Sequence, residues 1–437
     1  MTIRPLDGSK PRLTVDVPAQ PEVTKPASQG PTSTSQGSLP GIDSTFADAK
    51  KKLMSLGKTN TRLPPVARNG GAPAGTLQVK DLQRAQGATK SSAPTLDAAG
   101  KQALKAINAS KDKSATAIST ATISLPPDQQ LAVFNALPKA TRAALVAEFN
   151  KDPSKILGGL AVAITRSMSN AELAAAQKAL RTRGPASPGP GDAAIGAELA
   201  ARTKWGAANA AVVTQLREKL SAGQVSWEAG RGRAHTDPAT GDITLDPKLA
   251  GSPEGLAAVL AHEGTHSADF KGGGTNDLLT EEVLGNRAGA EVFAQLKGDP
   301  KDPKLPDGDG AGLEAYGKLL DQPDAFRARV ASMYAGESGL DYAAGNEKKT
   351  NRNRVDLLVE KLASEPATLK AMTAEQFDML LGAVERTHPG DALQLAVTKF
   401  GQLLENAPAD VQKHVRETAK HDMGATGLEV LDAAMKK

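Results

Sequence analysis

Ser252-Pro253-Glu254-Gly255-Leu256-Ala257-Ala258-Val259-Leu260-Ala261-His262-Glu263-Gly264-Thr265-His266 is the stretch that decides how this chain reads. Ser252 is a helix cap, Pro253 suits the first helical position, and Glu254 lies near the positive end of the helix dipole. These three residues predict a helix running to about Asp269, with Leu256, Val259 and Leu260 on an apolar side. His262 and His266 are four residues apart, so both imidazoles share one helix face about one turn apart. That separation suits two nitrogens at about 2.0–2.1 Å from one zinc ion. Glu263 lies roughly 100° round the helix from His262 and can take a proton from a metal-held water.

Two His hold zinc poorly, and a third protein ligand is needed. Asp269 is three residues beyond His266. Gly272-Gly273-Gly274 ends the helix, and a second helix is predicted from about Asp277 to Leu296. Glu281 and Glu282 lie on it, where a returning helix can present a carboxylate to the metal. On residues alone Asp269, Glu281 and Glu282 all remain candidates.

With His262-Glu263-Gly264-Thr265-His266 and a downstream Glu, the chain resembles the gluzincins, zinc metallopeptidases in which H-E-x-x-H is followed on a later helix by Glu. That Glu typically opens a pattern E-x-x-(small)-(acid). Glu282-Val283-Leu284-Gly285-Asn286 is similar to it, with Gly285 at the small position and Asn286 in place of the acid that commonly orients a ligand His. The resemblance covers about residues 195–296. It implies Zn2+ held by His262, His266 and Glu282, with Glu263 as general base, and a protein or peptide substrate. It also implies an edge strand beside the catalytic helix that takes up extended substrate, for which Gly241–Pro247 is the candidate. An oxyanion donor is expected too, with Tyr334, Tyr342 and His235 as candidates, none of which stands out and for each of which a structural role is the better reading. The alternative is a zincin-like binding or scaffold protein whose centre is inactive.

Outward from the motif, Gln224–Glu228, Arg233–Thr236 and Asp242–Leu245 read as short strands, with Asp237-Pro238-Ala239-Thr240-Gly241 as a turn. Residues 193–222 read as helical. Gly184-Pro185-Ala186-Ser187-Pro188-Gly189-Pro190-Gly191 breaks both regular structures and reads as a linker within 184–192. Residues 96–183 form a helical region. Leu125-Pro126-Pro127-Asp128 opens a helix carrying Leu131, Phe134 and Leu137, and Ser169-Asn170-Ala171-Glu172 is a capping box. The metal-binding region spans 193–312. Its last part, 298–312, is a Pro/Gly/Asp loop, and Asp307 and Asp309 there lack the further ligands of a calcium loop. Residues 313–437 are helical again, with a second capping box at Thr373-Ala374-Glu375-Gln376 and an apolar face of Phe377, Leu380, Leu381 and Val384. His388, His414 and His421 fall at polar helix ends, where solvated roles are expected.

Composition bounds the rest. The chain has 437 residues, no Cys, 3% aromatic residues and Ala at about one residue in six. Thiol catalysis, disulfide scaffolds and Cys-based metal sites are excluded, and a large β-sandwich or barrel is disfavoured. Residues 1–95 are Pro/Ser/Thr-rich, with Phe46 as their one aromatic, and read as a disordered tail with a short helix around Ser44–Leu56. They carry 13 Lys/Arg against 6 Asp/Glu, a balance of +7, whereas the remainder stands at −3. The basic surplus comes without aromatic interleaving, so no specific nucleic-acid partner is expected. In composition such a tail resembles the leaders of exported bacterial effectors. No apolar run reaches membrane-spanning length and Met1–Asp16 has no secretory h-region, so the expected location is cytoplasmic, or outside by a route not reading such a signal. The fold class expected is mainly α, with helical flanks around a central α+β zincin-like domain bearing a small sheet.

Overall fold

The structure, a computed structural model, describes residues 94–183, 187–229, 234–271, 278–306, 309–335, 348–388 and 391–435. The expected disorder of the N-terminal tail and the helix at Ser44–Leu56 lie outside the described residues. What is described is mainly helical, with one small sheet. Among the described residues no helix is long and apolar enough to cross a membrane.

The first helices are α1 (Ala98–Ala109), α2 (Ala115–Thr122), α3 (Pro127–Ala136), α4 (Lys139–Lys151), α5 (Gly158–Ser167) and α6 (Asn170–Arg183). Their starts follow the sequence signals. Asp97 accepts from Gly100 N at 2.7 Å to cap α1. Ser169 and Glu172 bond reciprocally at the head of α6, at 2.7 and 3.2 Å. Leu131, Phe134 and Leu137 are buried.

Helices α7 (Pro190–Ala201), α8 (Lys204–Ala208) and α9 (Ala210–Ser221) follow. The helical region expected over 193–222 is built of three helices, with Thr203 capping the second through Gly206 N. The Gly184–Gly191 stretch does not end in open chain. Gly189 and Gly191 lie against the carbonyls of Ser154 and Pro153, with no room for a Cβ, and α7 has begun by Pro190. Buried Glu198 on α7 takes Arg202 at 2.9 Å and Arg217 of α9 at 2.7 Å, which meets the need of a buried carboxylate for charged donors.

The strands are β1 (Val225–Trp227), β2 (Ala234–Thr236) and β3 (Ile243–Leu245). Sheet order is β1-β3-β2, with β1 parallel and β2 antiparallel to β3. The β2–β3 turn is held by Asp237, whose side chain accepts from Ala239 N at 2.7 Å and Thr240 N at 3.1 Å. Gly241 closes it at φ +69°, a backbone region that favours glycine. Position in the sheet differs from expectation. The strand inside Gly241–Pro247 is the central one, so its ladder is filled on both sides, and β2 is the edge strand that meets the motif helix.

That helix is α10 (Pro253–Lys271), followed by α11 (Leu278–Gln295) and α12 (Asp309–Gly317). Leu256, Ala257, Ala258, Leu260 and Ala261 are each at most 1% exposed. The helix is thus buried on all sides over this stretch rather than on one, as expected for an apolar helix enclosed by neighbours. Helices α13 (Pro323–Met333), α14 (Lys348–Ala363), α15 (Pro366–Ala371), α16 (Ala374–Thr387), α17 (Asp391–Leu404), α18 (Ala409–Asp422) and α19 (Gly424–Ala434) complete the chain. Thr373 and Gln376 form the expected capping box of α16, and Phe377, Leu380, Leu381 and Val384 are buried.

Two apolar cores result. One takes residues from Ala103 to Leu313 and is continuous across the Gly184–Gly191 stretch. The other takes Leu279, Ala290, Tyr316 and the apolar faces of α13 to α19. Helix α11 belongs to both: Ala288, Val292 and Phe293 face the first, Leu279 and Ala290 the second.

Candidate metal centre

About two and a half turns of buried helix, Pro253–Ala261, lead to His262 and His266 on α10, and α11 packs alongside. The ring centroids of His262 and His266 are 4.7 Å apart, and their Nε2 atoms 2.9 Å. Glu282, on α11, places Oε2 3.7 Å from His262 Nε2 and Oε1 3.7 Å from His266 Nε2. One ligand atom from each of the three lies within 4.8 Å of the others. Ligands about 2.1 Å from a tetrahedral ion are about 3.4 Å from one another. The two His nitrogens are 2.9 Å apart and each lies 3.7 Å from a different oxygen of Glu282, separations on that scale, so the donor set is compatible with one small divalent cation. Glu281, 8% exposed, and the half-buried Asp269 are not in this group of three.

The reason for close approach is Gly285, one turn from Glu282. A Cβ there would sit 3.1 Å from His262 Cε1, His262 Nε2 and His266 Nε2. An added Cβ would require the imidazoles or α11 to give way by a few tenths of an ångström, so glycine permits the closest approach of α11 to the two rings. The small position of the E-x-x-(small) pattern thus has a steric cause in this chain.

Electrostatics favour the ligand form of His266. Burial pushes its imidazole down to about 4, with His235 acting the same way and Asp269 opposing. At neutral pH the ring is uncharged, the state in which imidazole binds metal. His266 side-chain exposure is 9%, against 22% for His262 and 24% for Glu282, so the centre is more open on the side of those two.

Glu263 is 8% exposed. Thr236 Oγ1 on β2 donates to its Oε2 at 2.6 Å. Nothing in the sequence marks Thr236, since hairpin pairing alone brings it against α10. Asn286 also takes a place that sequence patterns do not show. Its Nδ2 donates to Glu282 O at 2.8 Å and to Glu282 Oε2 at 3.3 Å. The residue expected where an acid would orient a ligand His contacts the carboxylate instead.

Among the oxyanion candidates, His235 is half-buried on β2 and near enough to affect His266 electrostatically. Tyr334 packs on the second core, and Tyr342 lies outside the described residues. His388 corrects an expectation. It is 3% exposed rather than solvated, held 3.2 Å from Asp356 Oδ1 and 2.9 Å from Val384 O, because α14 covers the end of α16. His414 is exposed and meets Asp378 at 2.9 Å.

Comparison with known proteins finds no matching family model, curated protein or solved structure.

Proposed function

We propose that this chain is a zinc-dependent metallopeptidase in which His262, His266 and Glu282 hold the metal and Glu263 is the general base. The observation that carries the reading is the meeting of three ligand atoms from two helices within 4.8 Å, beside a buried carboxylate one residue along from a ligand. A zinc ion held by such a set polarises a carbonyl and lowers the pKa of a bound water. The chain's own residues do the rest. Glu263 accepts the water proton and hands it to the leaving amine. Thr236 holds one Glu263 oxygen and restrains its rotamer. Neutral His266 contributes a lone pair rather than a charge.

The test is metal content of the 437-residue protein beside His262→Ala/His266→Ala, followed by hydrolysis of a quenched-fluorescence peptide library. The expected result is about one zinc per chain, absent from the double variant, with cleavage lost on chelation and in Glu263→Gln while the zinc remains. Zinc without cleavage of any peptide would favour the binding-protein reading. Absence of zinc after reconstitution would overturn the metal assignment.

A further inference from the structure

Asn286 stands one helical turn after Glu282, so the two side chains share a face of α11. Its amide nitrogen reaches both the main-chain carbonyl and the carboxylate of Glu282, at 2.8 and 3.3 Å. That carboxylate in turn sits 3.7 Å from each imidazole nitrogen. Glu has three side-chain torsions, and its side chain here is 24% exposed, so its packing alone does not pin it. A donor anchored to the same turn removes much of that freedom and directs the carboxylate towards the two His. The donor must be neutral. A carboxylate at 286 would have no proton to offer Glu282 at neutral pH and would set a second negative charge beside it. A Lys or Arg would pair with Glu282 and compete with a cation for it.

We propose that Asn286 is a positioning residue of the metal centre, acting through Glu282 rather than through a His. This rests on the metal assignment above, and the side-chain amide is what a centre needs when its aimed ligand is a carboxylate on the same helix.

The experiment is a double-mutant cycle read by zinc and cobalt(II) binding to the full chain, in competition with a chromophoric chelator. Groups that orient metal ligands are typically worth 10–100-fold in affinity. Asn286→Ala is expected to weaken zinc by that factor, to alter the visible absorption of the cobalt-loaded protein, and to leave the thermal transition of the metal-free chain within a few degrees of wild type. In a Glu282→Ala background the same change is expected to have less than a twofold effect, because the group it acts through is gone. Asn286→Asp, which keeps the shape and deletes the donor, covers the case in which the Ala variant does not fold, and is expected to alter the cobalt spectrum likewise. An equal loss with and without Glu282 would overturn the proposal in favour of a packing role, and so would wild-type affinity and spectrum in both Asn286 variants. Failure of the wild type to bind either metal would overturn the metal assignment itself, and this proposal with it, a result distinct from the other two.

Discussion

Gly285→Ala separates the metal centre from the fold that carries it. The added Cβ would lie 3.1 Å from three atoms of the two imidazoles, whereas carbon contacts are optimal at about 3.5–4.0 Å. Rings or helix must therefore retreat by about 0.4 Å or more. Metal–ligand distances tolerate only about 0.2 Å, so the displacement exceeds what coordination absorbs. Zinc affinity is expected to fall at least about tenfold, or about 1.4 kcal/mol. The backbone effect has the opposite sign. Ala is better than Gly in a helix interior by about 1 kcal/mol, which offsets the new crowding, so the metal-free chain keeps its stability to within about 1 kcal/mol. Two measurements suffice: zinc competition against a chromophoric chelator, and urea denaturation in excess EDTA. Wild-type zinc affinity in folded Gly285→Ala would refute the reasoning. So would a parallel loss of affinity and metal-free stability, because crowding would then act on the fold and not on the ligands.

The pH dependence of the metal-free chain follows from His266. Its folded pKa is about 4 against 6.5 for the free side chain. Above pH 6.5 the ring is neutral folded and unfolded, and contributes nothing. As pH falls from 6.5 to about 4 the unfolded chain takes up a proton the folded one refuses, so stability falls, by up to about 3 kcal/mol, and then levels. Urea titrations at stepped pH in EDTA should show this drop in wild type and not in His266→Asn; identical profiles would contradict it. Thr236→Val leaves the buried Glu263 carboxylate one donor short, at a cost of about 1–2 kcal/mol, recovered by Thr236→Ser. Zinc affinity should stay within threefold, since Thr236 touches Glu263 and no proposed ligand, and a larger change would show that β2 shapes the ligands as well. Arg327 on α13 meets Glu365 at 2.5 and 2.7 Å and Thr280 of α11 at 3.3 Å. Arg327→Met should cost about 2 kcal/mol in chemical denaturation, with a clearly non-additive cycle against Glu365→Gln; additivity would show that the pair is not coupled.

Much of the secondary structure was legible because its signals are local. The Ser169/Glu172 and Thr373/Gln376 boxes, the Pro253 helix start and the Asp237–Gly241 turn each depend on residues within four positions of one another, and each appears in the structure where it reads. The buried state of His388 did not read locally, because α14 comes from thirty residues away to cover it. The same holds for the sheet. Three short strands read correctly as strands, but which of them lies in the middle depends on pairing partners, and pairing is not encoded in any one strand.

By itself the sequence determined the helical character of the chain, the strand segments, and the spacing that sets His262, Glu263 and His266 on one turn and a half of helix. It also narrowed the third carboxylate to three residues, Asp269, Glu281 and Glu282. The tertiary structure alone decided which of them meets the imidazoles, because that depends on the rotation of α11 about its axis and on its distance from α10. Both are set by packing against two separate cores and by the missing side chain of Gly285. It alone decided, too, that Thr236 meets Glu263 and that Asn286 faces Glu282 and not a His. Contacts between side chains on different elements are fixed by helix rotation and strand pairing, and a one-residue spacing in sequence says nothing about either.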